Sequence, residues 1–155
     1  MVYNEPPEGR MRNLLAVPFA VVVVATAACS QSTDPTVGAL PQQLVSLDES
    51  VTLAVGEAAV VEGTSLTIRF VEVQEDSRCP TGVDCVWEGV AVTLLEVSDG
   101  TEQHTITLQA RAGMRQSTGV AGYSLEIGSL APFPKYLETI ATGEYRLTLE
   151  VTPEG

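Results

Sequence analysis

Three cysteines, a single histidine and a run of acids around two of the cysteines are the side chains in this sequence that could do chemistry. Cys79 and Cys85 lie in Asp76-Ser77-Arg78-Cys79-Pro80-Thr81-Gly82-Val83-Asp84-Cys85-Val86-Trp87-Glu88-Gly89. A Cys-x5-Cys pair can close a tight loop, and Pro80 and Gly82 supply its turn. A disulfide is the default there in an oxidising compartment. Zinc is a rival, but it needs four ligands, and the spacing misses the usual fingers. A redox site would prefer Cys-x-x-Cys.

The acids Glu72, Glu75, Asp76, Asp84 and Glu88 surround this loop. If they converge, they form an electronegative rim that suits calcium or a cationic partner. The alternative is a solvated acidic face, with Arg78 paired to one of the acids. Trp87 beside the loop could serve as an exposed binding aromatic, but on a long strand next to a disulfide the expectation is core packing. Catalysis has little support. His104 shares parity with Ile106 and Leu108, which puts it at the rim of a core-facing strand with no nucleophile specified beside it. Plentiful carboxylates in an acidic chain do not make a glycosidase site. The expectation is no enzyme and no cofactor, with calcium the one candidate metal.

Of the 8 Lys+Arg and 20 Asp+Glu, two of each lie in residues 1–28, so the whole net charge of −12 falls on the remainder. Such a surface repels phosphate backbones and disfavours nucleic acid as a partner. With 45% apolar residues the chain has material for a core.

The leader carries the clearest signal. Met11-Arg12-Asn13 precedes Leu14–Ala28, an apolar run of 15 residues with Pro18 inside it. The run is short for a membrane span, which needs about 20 residues. A positive start, a short apolar middle and small residues before a break mark a secretory signal peptide, 1–28. Residues 1–10 are acidic and proline-rich ahead of Met11, which points to Met11 as the natural start. The end of the run, Ala25-Thr26-Ala27-Ala28-Cys29, resembles a bacterial lipobox, with Thr26 where that family usually has leucine. The resemblance implies cleavage before Cys29 and acylation of its thiol by a diacylglycerol, with palmitate-type chains. Lipidation also accounts for the cysteine left over when Cys79 and Cys85 pair. The lipid bilayer is then one partner, through acylated Cys29. The location is the cell membrane or outer membrane, facing periplasm or exterior.

Residues 29–44 are polar and proline-bearing without periodicity, a flexible tether. A β-domain is expected over 45–155. Val51, Leu53 and Val55 alternate with small or polar residues, as do Leu66, Ile68 and Phe70. Val71 and Val73 continue in the opposite phase, which predicts a β-bulge near Phe70. Cys85–Val97 reads as one long strand, and Asp99-Gly100 as the hairpin turn to Ile106 and Leu108. Tyr123–Ile127 and Tyr145–Val151 alternate cleanly, and Lys135–Thr142 could form one helical turn. About seven strands in this length predict an all-β fold, a small antiparallel β-sandwich of immunoglobulin-like size or a small barrel.

The cysteine stretch resembles a family of bacterial lipoproteins and secreted β-domains with Asp-Ser-Arg-Cys-Pro, a short turn and Cys-Val-Trp-x-Gly. That family often has a Leu-x-Pro-x-Pro segment before its last strand, here Leu130-Ala131-Pro132-Phe133-Pro134. The resemblance implies fold and location, not an activity. The functional expectation is a membrane-anchored extracytoplasmic lipoprotein whose β-domain binds an unknown envelope protein or ligand, or plays a structural part. The alternative is an inhibitor-like lipoprotein presenting its loop to a cationic enzyme such as a lysozyme.

Overall fold

The computed structural model describes residues 41–155, so the signal peptide, Cys29 and all but the end of the tether lie outside the described residues. Nine strands form two stacked sheets. One sheet has the order β1 (Gln42–Val45), β3 (Ala58–Val61), β4 (Thr67–Asp76), β5 (Ala91–Ser98), β6 (Gln103–Ala110). The other has the order β2 (Ser50–Ala54), β9 (Arg146–Pro153), β8 (Tyr123–Ala131), β7 (Gln116–Val120). Pairing is antiparallel except between β1 and β3. The sheets do not close on each other, so the fold is an open β-sandwich and not the alternative barrel.

Alternation builds the core. Ala91, Leu95 and Val97 of β5 point inward with Thr93, whose hydroxyl donates to the Leu108 carbonyl at 2.9 Å. Leu147, Leu149 and Val151 of β9 face them from the other sheet, with Val51 and Leu53 of β2 beside them. Each of these valine and leucine side chains contributes about 1.5–3 kcal/mol on burial. The bulge expected near Phe70 is present, as a register shift between Phe70 and Glu72. A second shift follows between Val73 and Glu75, and a third in β8 between Ile127 and Ser129. The shift in β8 turns Leu130 back toward the core after Ile127.

The Asp-Gly hairpin joins β5 to β6 as predicted. The Asp99 carboxylate accepts from the backbone N–H of Glu102 and from the hydroxyl and N–H of Thr101. These donors, the Glu102 amide first, push its pKa down to about 2. The strands that the pattern missed are β1, β3 and β7. β3 is Ala-Ala-Val-Val, nearly all buried, so it has no polar phase to alternate with. β1 and β7 are short polar edge strands. β1 also occupies the last residues of the expected tether, and the Gln43 side-chain amide ties it to the Thr52 carbonyl of β2 at 3.0 Å. A 3-10 turn spans Thr142–Glu144, at the end of the segment expected to carry a helical turn.

Candidate functional site

The chain leaves β4 at Asp76 and re-enters the sheet at Ala91, and the segment between is a hairpin of its own. Ser77 N–H donates to the Val90 carbonyl at 2.8 Å and Cys79 N–H to the Glu88 carbonyl at 2.9 Å. The Cys79–Cys85 disulfide closes its outer part, with the Cα atoms 5.9 Å apart. The expected long strand Cys85–Val97 is therefore corrected: β5 begins at Ala91. Val86 and Trp87 sit beyond it, at the hairpin's turn. Gly89 lets the two arms approach. It has φ +66°, and a Cβ there would lie 1.8 Å from the Ser77 carbonyl oxygen.

Arg78 anchors this hairpin to the body. Only 4% of it is exposed. Its Nε and Nη2 donate to the two carboxylate oxygens of Asp76 at 2.8 and 2.6 Å. Nη1 donates to the Leu130 carbonyl at 2.6 Å, and Nη2 also to the Pro132 carbonyl at 2.9 Å. The guanidinium lies over the Phe133 ring, 5.1 Å from its centroid. The Tyr145 hydroxyl, at the entrance to β9, donates to Asp76 at 3.1 Å. One charged fork thus joins the end of β4 to the exit of β8 and the start of β9. Burial alone would raise the Asp76 pKa, but the Arg78 guanidinium, helped by the Tyr145 hydroxyl, holds it below the usual carboxylate range. Burial and the neighbouring Asp76 charge push the Tyr145 phenol up.

The segment Leu130–Pro134 now has a physical role. Two of its carbonyls receive Arg78, its Phe133 covers the guanidinium, and the Pro134 carbonyl accepts Thr81 N–H from the disulfide loop at 2.9 Å. The Ala131–Pro132 peptide bond is cis. The expected pairing of Arg78 with a neighbouring acid is realised, but its burial and its carbonyl partners across the sandwich were not legible in sequence.

The acidic rim divides. Asp76 turns inward to Arg78, whereas Glu72 and Glu75 are exposed on β4, and Asp84 and Glu88 are exposed on the hairpin. Among the described residues no group of three or more His, Cys, Asp or Glu side chains is placed to hold a metal ion. His104 is half-buried on β6, its Nε2 3.8 Å from a Glu102 carboxylate oxygen.

The expectation for Trp87 is overturned. Trp87 is 83% exposed and Val86 88%. Trp87 lies in the hairpin before β5 begins at Ala91, so parity along an imagined strand does not apply to it. Of the seven large apolar side chains exposed among the described residues, six are at this end: Val86, Trp87, Met114, Phe133, Tyr136 and Leu137. Val86, Trp87 and Glu88 line an open groove with Arg111 from the β6–β7 turn. Arg111 forms no ion pair among the described residues.

The disulfide should stabilise mainly by constraining the unfolded chain. Replacing both Cys79 and Cys85 by serine is expected to lower stability by about 2.4 kcal/mol, the chain-entropy value for a seven-residue loop. Urea unfolding monitored by circular dichroism checks this, and the β signature before the transition should be unchanged. The disulfide suggests an oxidising, extracytoplasmic environment. Among the described residues no helix is long and apolar enough to cross a membrane. Comparison of the chain with models of protein families, with curated proteins and with solved structures finds no significant match.

Proposed function

We propose that this chain is a lipid-anchored extracytoplasmic binding domain, held to a membrane through acylated Cys29, whose contact surface is the apolar end bearing the disulfide hairpin. The observation that carries the reading is the clustering of six exposed large apolar side chains at one end of the sandwich. Exposed apolar side chains scattered singly are ordinary, but a concentration of them marks an interaction surface. The hairpin that carries two of them is held by a disulfide and by Arg78, so little ordering entropy is lost on contact. The leader's resemblance to a lipobox and the cysteine left over by the disulfide support the anchor.

Cys29→Ser is expected to leave the protein uncleaved or to release it from the membrane fraction, because the acyl chains supply ~0.8 kcal/mol per buried CH₂. Detergent-phase partitioning and intact mass read both outcomes. An unacylated mature chain starting at residue 28 or 29 would sink the anchor.

The inhibitor-like reading draws on the same hairpin, because Asp84 and Glu88 are exposed beside Trp87. A cationic enzyme held by them would bind more weakly as salt rises and lose on-rate in Asp84→Asn Glu88→Gln. Unchanged binding of lysozyme by that variant, at low and high salt alike, argues against it.

A further inference from the structure

The two ends of the sandwich differ in kind. The end carrying the disulfide hairpin comprises the loops 55–57, 77–90, 111–115 and 132–145, joined across the sheets by the Tyr145–Asp76 hydrogen bond. These loops hold four basic and five acidic residues and six of the seven large apolar side chains exposed among the described residues. The opposite end comprises 46–49, 62–66, 99–102, 121–122 and 154–155, and it holds six acidic residues and no basic one. A chain with a net charge of −12 therefore has one end that is close to electrically balanced and apolar.

Leu137 sharpens the contrast. It is 87% exposed and has φ +61°, a left-handed conformation that a bulky residue rarely adopts. No packing inside the domain rewards a leucine there. Trp87 and Tyr136, exposed at the same end, are the residue types that settle at the boundary of a bilayer. Arg111 stands beside Val86 and Trp87, with a long stem that can let its charge reach lipid phosphates while apolar neighbours sink deeper, and Lys135, exposed at the same end, is paired with Glu138 at 3.4 Å.

Chain direction supports the same orientation. β1 runs parallel to β3, with Gln42 opposite Ala58 and Val45 opposite Val61, and Ala58 faces Arg69 of β4. β4 runs toward the apolar end, so antiparallel β3 and its parallel partner β1 run away from it. The chain thus enters β1 from the apolar side. From the Arg69–Glu96 pair to the Asp76–Ala91 pair is five residues of β5, about 17 Å, and the paired arms of the hairpin add about 10 Å. Cys29 precedes Pro41 by twelve residues, a length that reaches at most about 40 Å. An acyl chain on Cys29 can therefore share a leaflet with a bilayer touching the hairpin.

We infer that the apolar end docks on the lipid bilayer itself, with Val86, Trp87, Tyr136 and Leu137 entering the interface and the acidic end facing away. This rests on the lipid-anchored reading above and names the partner of that surface. It makes the domain lie against its membrane and not swing free on a tether.

Trp87 is the chain's one tryptophan, so its emission reports this contact directly. The full chain is reconstituted into phosphatidylcholine vesicles after its Cys29 acylation has been checked by intact mass. Trp87 emission is expected to move to the blue on vesicles, to lose accessibility to iodide, and to be quenched by brominated acyl chains. Val86→Ser and Leu137→Asn should each lower the docked-to-free ratio about tenfold, the effect of one apolar side chain lost from the interface. Both positions are exposed and asparagine tolerates left-handed backbone, so the melting temperature should not move. Raising salt should change the docking little, since this end is close to electrically balanced. An acylated chain whose Trp87 emission and iodide quenching are the same with and without vesicles overturns the inference and leaves the anchor standing. Unacylated Cys29 with Trp87 still quenched by brominated lipid supports the docking and overturns the anchor. Variants that dock normally but lose a protein partner show instead that this end binds protein, which also overturns the inference.

Discussion

Arg78→Ala is expected to cost about 3–5 kcal/mol of stability, the largest loss from any single substitution at this site. The change leaves the Asp76 carboxylate partly buried without its cation and deprives the Leu130 and Pro132 carbonyls of donors. Arg78→Lys keeps the charge but not the planar fork, so it should fall between. Urea unfolding at neutral pH gives the comparison, with the midpoint shifting and the slope unchanged. A loss below about 1 kcal/mol would mean the pair behaves as an exposed ion pair, which its burial contradicts. The pH dependence has a definite sign. The folded pKa of Asp76 is depressed, so its contribution is fully present above the unfolded carboxylate value of about 3.9 and is lost as pH falls through the folded value. Below about pH 4 the difference between wild type and Arg78→Ala should therefore shrink, because protonation removes the uncompensated charge in the variant.

Gly89→Ala should cost about 3 kcal/mol, although it adds one methyl group. The left-handed backbone alone costs an alanine roughly 1–2 kcal/mol. The added Cβ meets a carbonyl, not a flexible side chain, since Ser77 oxygen would be 1.8 Å away. The arms of the hairpin must then separate, and overpacking of this kind typically costs about 1–3 kcal/mol more. Gly82→Ala is the control. Gly82 also has positive φ, at +90°, but nothing lies within 4 Å of its Cβ position. It should show the conformational cost and no more. Equal losses at the two positions would mean that the Ser77 contact is easily relieved. Thermal unfolding measures stability, and iodide quenching of Trp87 reports whether the hairpin has moved.

Much of the sandwich was legible because its strands have one wet and one dry face. Val51 and Leu53, Ile68 and Phe70, and Leu147 to Val151 announce themselves by period two, and the phase change after Phe70 announces the bulge. Pattern fails where a strand lacks two contrasting faces. Ala58–Val61 is buried almost throughout, and Gln116–Val120 is a polar edge. It fails differently at Trp87. An apolar residue near an apolar strand reads as core, and nothing local says that the strand has not yet begun.

The sequence by itself determined the all-β class, the hairpin at Asp99-Gly100, the proximity that lets Cys79 meet Cys85, and the strongly negative net charge. These follow from neighbours along the chain and from composition, so short-range rules suffice. Only the tertiary structure decided that Arg78 is buried, because its carbonyl partners at Leu130 and Pro132 lie 52 and 54 residues away. It also decided that Val86 and Trp87 share an end with Phe133, Tyr136 and Leu137. That juxtaposition depends on Thr81 meeting Pro134 and on Asp76 meeting Tyr145. Contacts between such distant segments are set by how two sheets stack and where their bulges fall, and no local periodicity encodes that.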